Sequence, residues 1–132
     1  MRDTLQIPPI QAIIDLNQDL LAEHGGATGL QDRGALEAAL ARPTPILAYS
    51  ETPVTVFDLA AAVCVGICRN HPFVDGNKRA GFMALGVTLG MNGVFLDVSE
   101  HEAAENVLAL ATGEMTEVVF RDWVARNSFE GE

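Results

Sequence analysis

The chain has 132 residues, 48% of them apolar and 20% charged, which suits one domain with its own core, spanning residues 1–132, and reads as globular rather than disordered. Its formal net charge of −10 argues against binding nucleic acid or an anionic membrane surface, both of which call for clustered cations. No run approaches the roughly 20 apolar residues needed to cross a bilayer, and Met1 to Pro9 has no apolar leader core, so a cytoplasmic location is expected.

Aromatic residues are only 6%, while Ala, Leu and Val are abundant. Small aliphatic side chains let helices approach closely, so an all-α fold is expected: a compact bundle of about six helices. Pro8-Pro9 opens a helix that runs to about Glu23. Its apolar face is Ile10, Ile13, Ile14, Leu20 and Leu21, interrupted by the polar Asn17. His24-Gly25-Gly26 stops it, with His24 suited to the carbonyl end. A second helix is expected from Asp32 to Ala41, with Leu36 and Leu40 one turn apart, ended by Pro43 and Pro45.

Residues 43–53 read as a Pro-punctuated loop with a short extended piece at Ile46 to Tyr49. Thr52 then caps a helix with Pro53 at its first position, burying Phe57, Ala60, Ala61, Cys64, Ile67 and Cys68 and ending near Asn70. Cys64 and Cys68, one turn apart and without a secretory signal, read as buried thiols rather than a disulfide framework. A further helix runs from about Asn77 to Met91, where Asn92-Gly93 stops it, and at most a short strand follows at Val94 to Leu96. Ser99 and Glu102 have the spacing of a capping box and open a helix that Gly113 closes. The last helix, about Thr116 to Asn127, buries Val119, Phe120 and Trp123. His101 and Tyr49 read as solvent-facing. A metal site from His101, Glu102 and Glu105 is the lesser alternative to a solvated acidic face.

The chemistry is concentrated between the two best-marked helices, in His71-Pro72-Phe73-Val74-Asp75-Gly76-Asn77-Lys78-Arg79. Three of the eight basic residues, Arg69, Lys78 and Arg79, fall within eleven positions, and Lys78 is the only lysine. In so acidic a chain, such a cluster points to an anionic ligand. Gly76 lies just before a helix N-terminus, where free N–H groups and the helix dipole favour a phosphate. Asn77 supplies a further donor, Arg79 a planar fork and Lys78 a point charge. Asp75 can hold Mg²⁺ together with phosphate oxygens. Histidine is the side chain whose unperturbed pKa, about 6.5, suits the removal of a proton from an attacking hydroxyl, and His71 supplies it. Pro72 restricts His71, and Phe73 can anchor the loop in the core. The competing structural reading is a plain turn, since Asp-Gly-Asn is a common turn sequence.

Residues 71–79 resemble the signature of the Fic/Doc family, His-Pro-Phe-x-Asp/Glu-Gly-Asn-Gly/Lys-Arg, at every specified position. Leu30 to Glu37, Ala41-Arg42-Pro43, Phe57 to Ala60 and Asn92-Gly93 resemble its Doc (death-on-curing) branch. The resemblance implies the all-helical fold and the transfer of part of ATP onto a protein hydroxyl. It assigns His71, Lys78 and Arg79 to catalysis, Gly76, Asn77, Lys78 and Arg79 to the nucleotide phosphates, and Asp75 to Mg²⁺. Most Fic members transfer AMP. Doc members are kinases that bind ATP reversed, act as toxins held in check by a small antitoxin, and include one that phosphorylates elongation factor Tu to halt translation. AMP-transferring relatives have Gly at the position of Lys78 and Arg at that of Phe82, so the departures here favour the kinase branch. An inhibitory Ser/Thr-x-x-x-Glu-Gly/Asn helix is absent: His101 precedes Glu105-Asn106 and Arg126 precedes Glu130-Gly131. Control by a partner is therefore expected. The resemblance also implies a flap that pairs with the target backbone, placed by position at residues 44–52. The alternatives are AMP transfer, a non-catalytic module that grips phosphate or a partner, and, more remotely, a nuclease using His71 and Asn77.

Overall fold

A computed structural model gives the fold and describes residues 5–26 and 29–131. The first four residues of the Met1 to Pro9 stretch, residues 27–28 and residue 132 lie outside the described residues. Among the described residues there are seven helices and one small sheet. In chain order these are α1 (Ile10–His24), α2 (Arg33–Ala41), α3 (Pro43–Tyr49), α4 (Val56–Asn70), α5 (Asn77–Met91), β1 (Val94–Leu96), α6 (Glu100–Thr112), α7 (Glu117–Arg126) and β2 (Ser128–Glu130).

The fold is built around α4. Every residue from Leu59 to Cys68 is buried, so the expected stripe is in fact a helix apolar on all sides, the mark of a central element. Each fully buried Leu, Ile or Val contributes about 1.5–3 kcal/mol relative to exposure. One side of α4 carries Ala60, Cys64 and Cys68 into a cluster with Leu85, Leu89, Leu110, Phe120 and Trp123. The other carries Val63 and Ile67 against Ile13, Leu36, Ala39, Phe73 and Ala84. Close approach on both sides depends on glycine. A Cβ on Gly66 would stand 2.8 Å from Ala39 on α2, and one on Gly81 would stand 2.8 Å from Cys68 Sγ. Both thiols are buried, and the hydrogen bond to Cys68, then burial, push the Cys64 thiol well above its ordinary value.

The ends of several elements differ from expectation for local reasons. Residues 43–49 form a helix, not a loop, because Pro43 and Pro45 both lie in its first turn, where no backbone donor is required. Consequently there is no extended piece at Ile46 to Tyr49, and residues 44–52 do not form a strand-like flap. The α4 cap is Thr55, not Thr52. The Thr55 hydroxyl accepts the Asp58 N–H (3.3 Å) while the Asp58 carboxylate takes the Thr55 N–H (2.8 Å), and this reciprocal box outweighs the Thr52-Pro53 signal. Thr52 instead joins Ser50 in a local turn. On α7 the inward face is Phe120, Trp123 and Val124, which leaves Val119 half exposed at 51%. Strand β1 is present and pairs antiparallel with β2, Phe95 opposite Phe129, in the only sheet among the described residues. No helix of the described residues is long and apolar enough to cross a membrane.

Candidate active site

The loop between α4 and α5 is held from three directions. Phe73 is 1% exposed and anchors the loop in the core, as its position suggested. The segment before α2 runs alongside as a short antiparallel bridge, Leu30 opposite Phe73. There the Gln31 and Asp32 N–H groups both donate to Pro72 O (2.8 and 2.9 Å), and Val74 N–H donates to Gly29 O (3.1 Å). At the end of α4, Asn70 Nδ2 donates to Ala35 O (3.1 Å).

His71 ends α4. Its N–H closes onto Ile67 O (3.2 Å), and its backbone is left-handed, with φ 51° and ψ 56°. It is the only non-glycine residue with positive φ among the described residues. A following proline favours extended backbone, so this conformation is held against local preference at a cost of roughly 1–2 kcal/mol. The side chain is thereby carried to the surface, next to Asn77.

Asn77 faces inward. Its Oδ1 accepts Phe73 N–H (3.0 Å), and its Nδ2 donates to Phe73 O (3.0 Å) and lies 3.1 Å from His71 Nδ1. The two backbone partners leave no freedom in how the amide is oriented. Both amide hydrogens are committed, so in this state the side chain braces the loop and His71, and the donors it leaves toward a ligand are those of its backbone.

Asp75 is exposed, and its Oδ1 accepts Gly76 N–H (2.8 Å). Gly76 sits at φ 73° as the cap residue of α5, a conformation in which a side chain would be strained, and its Cβ would also press on Asn17 and Leu21 at 3.4 Å. Among the described residues the first-turn N–H groups of Asn77, Lys78 and Arg79 have no internal partner. Lys78 and Arg79 are exposed and take part in no ion pair among the described residues. They line a groove of about 430 Å³ with Leu20, His24, Phe82 and Glu100. The donor set fits a magnesium–phosphate ligand: one exposed carboxylate with Oδ2 uncommitted, at a helix N-terminus flanked by two cations. A larger hollow of about 610 Å³, beside Thr55, Asp58, Glu117 and Arg121, contains no residue of the loop.

Thus the loop brings His71, Asp75, Gly76 and Asn77 together, while Lys78 and Arg79 face the adjoining groove. His24, assigned only to a helix end, joins that groove. His101 is exposed and pairs with Glu105 at 3.5 Å on an acidic face, and no cluster of three potential metal ligands occurs among the described residues. Asn17 went unassigned. It is 1% exposed, and its Nδ2 donates to Asp75 O (3.2 Å), the signal having been the polar break in an apolar face.

The chain belongs to the Fic/DOC family, whose model matches residues 7–89, from α1 through most of α5. It is 38% identical over 98 residues to a protein of Mycolicibacterium smegmatis named Toxin Doc, covering 74% of this chain and 71% of that one. It is 32% identical over 106 residues to Protein kinase doc of Escherichia phage P1, covering 80% and 82% respectively.

Proposed function

We propose that this protein is a Doc-type toxin: a kinase that moves the γ-phosphate of ATP onto a Ser or Thr hydroxyl of a cytoplasmic protein. Elongation factor Tu is the target to test first, with translation arrest as the outcome and a small antitoxin as the inhibitor. The observation that carries the reading is the single loop that puts a surface histidine, an exposed carboxylate and the open first turn of α5 beside two cations that make no ion pair among the described residues. The names of the two relatives, one a toxin and one a protein kinase, support it.

In this reading the acceptor oxygen bonds to the γ-phosphorus, the bond from that phosphorus to the β–γ bridging oxygen breaks, and ADP leaves. The hydroxyl proton passes to His71. The first-turn N–H groups of α5 and Arg79 hold phosphate oxygens and offset their charge as it redistributes. Lys78 attracts the phosphates from the groove side. Asp75 would hold Mg²⁺, which supplies charge neutralisation across the phosphates. Because Asn77 donates to Nδ1 in the resting state, a neutral His71 carries its proton on Nε2. The ring therefore turns from Asn77 to present a bare nitrogen when the acceptor arrives.

The test is incubation of the protein with elongation factor Tu, or cell extract, and ATP labelled at either the γ- or the α-phosphate. Label from the γ position on a Ser or Thr of the target is expected. Label from the α position assigns AMP transfer, and no label from either assigns a non-catalytic phosphate- or partner-binding module.

A further inference from the structure

Three polar side chains are buried among the described residues: Asn17, Asn77 and Thr88. Thr88 bonds to its own helix at Ala84 O (2.7 Å), and Asn77 is satisfied by the loop. Asn17 differs. It stands on the inward face of α1 between Ile13 and Leu21, where helical spacing and packing suit an aliphatic residue. Among the described residues its Oδ1 is buried without a partner, and its Nδ2 makes one bond, across fifty-eight positions of sequence, to Asp75 O. A purely structural asparagine at this place satisfies neither packing nor its own acceptor.

The Asp75 carbonyl is the start of the turn that sets both the carboxylate and α5. Fixing it orients the 75–76 peptide, keeps Gly76 left-handed, and so aims the Asp75 side chain and the first N–H groups of the helix. The chain just past the far end of α1 borders the carboxylate. A Cβ on Gly26, just past α1, would stand 2.8 Å from Asp75 Oδ2. Helix α1 therefore holds Asp75 at its carbonyl, and the segment that follows it borders the carboxylate.

From this arrangement we infer that Asn17 is a positioning residue for the Mg²⁺–nucleotide site. It acts through the Asp75 carbonyl to hold the carboxylate and the α5 N-terminus in binding geometry. This inference rests on the reading of Asp75 as the magnesium ligand. Asn17 is not itself a catalytic residue, because its side chain is buried and acts through the Asp75 carbonyl.

The experiment is isothermal titration of the full chain with ATP, with and without Mg²⁺, together with the thermal midpoint, for wild type, Asn17→Leu, Asp75→Asn and the double variant. Leu suits the apolar site and removes the unpaired acceptor, so Asn17→Leu should keep or raise the midpoint. It should nonetheless weaken Mg²⁺-dependent ATP binding about 10-fold or more, the range seen when a group supporting a metal ligand is lost. In the Asp75→Asn background the same substitution should add little, because both act on one element of binding. Wild-type protein that shows no Mg²⁺-dependent binding overturns the site reading and this inference together. Wild-type binding that Asn17→Leu leaves unchanged overturns this inference alone. So does a parallel fall of midpoint and affinity in Asn17→Leu, or full additivity with Asp75→Asn.

Discussion

The Asn77 amide nitrogen lies 3.1 Å from His71 Nδ1, and two backbone bonds to Phe73 fix which face of the amide points there. The polarity of this contact is opposite to that of a carboxylate holding a catalytic imidazole. An N–H donor demands a bare Nδ1, so the neutral ring is protonated at Nε2. Nitrogen-15 NMR of the histidine rings, with His71 assigned from a His71→Gln variant, should report the Nε2–H tautomer in the resting protein. Addition of nucleotide and acceptor should shift that signal. A resting ring protonated at Nδ1 would contradict the geometry.

His71 also bears backbone strain, and its chemical and conformational roles can be separated by two substitutions. His71→Ala and His71→Gly should each cut transfer by about 10²–10⁴-fold, the range for a lost acid–base catalyst. They should differ in stability. Glycine accepts the φ of 51° without strain, so His71→Gly should be more stable than His71→Ala by about 1 kcal/mol in urea unfolding. Full toxicity of either variant removes His71 from the mechanism.

Asp75→Asn keeps the shape of the loop and weakens its hold on a divalent cation. Transfer should fall and recover in part at high Mg²⁺ or Mn²⁺. Wild-type transfer that persists undiminished in EDTA would take the metal out of the mechanism.

Helix α4 is gripped through glycines, and this gives a stability prediction unconnected with catalysis. Gly66→Ala forces a methyl group against Ala39 and the Arg42 side chain and should cost about 1–3 kcal/mol. Gly86, on α5, has nothing among the described residues within 4 Å of its missing Cβ, so Gly86→Ala should instead stabilise by roughly 0.5–1 kcal/mol. Denaturant midpoints of the two variants should move in opposite directions.

Much of this was legible along the chain because the signals were local. The gap between Asn70 and Asn77, the stop at Asn92-Gly93 and the cap at Ser99 are encoded within a few residues of where they act. The failures arise where two local signals compete or where the partner is distant. Pro43 and Pro45 read as breakers because proline both ends and begins helices, and only the direction of the chain after Arg42 decides between these roles. Strand β2 carries no strong pattern of its own and exists through its pairing with β1. In the site, the residue types of 71–79 were readable, but not that Asn77 turns inward or that Asn17, on another helix, holds Asp75. Those are tertiary facts, marked in sequence only by a polar residue on an apolar face.

Lys78 provides the sharpest test of which phosphate is transferred. It is the sole lysine, it is exposed on the first turn of α5, and it lines the groove with Arg79, His24, Phe82 and Glu100 while making no ion pair among the described residues. Two effects act together there. Its side chain takes up volume next to the helix N-terminus, where a glycine would let two phosphates pack against backbone N–H groups. Its ammonium also draws a phosphate toward the groove as a flexible point charge. On the proposed kinase reading, both effects would displace the nucleotide so that His71 and the acceptor meet the γ-phosphorus instead of the α-phosphorus. In-line transfer needs reacting atoms about 3–3.5 Å apart, so a modest displacement decides which bond breaks. Lys78→Gly should therefore lose kinase activity. A gain of AMP transfer should be smaller than that loss, because Phe82 still occupies the place where AMP-transferring relatives carry a second arginine. Mass spectrometry of the modified target distinguishes the two products by the added mass. AMP on the target from the wild-type protein, or a Lys78→Gly variant that phosphorylates undiminished, would show that Lys78 does not select the reaction.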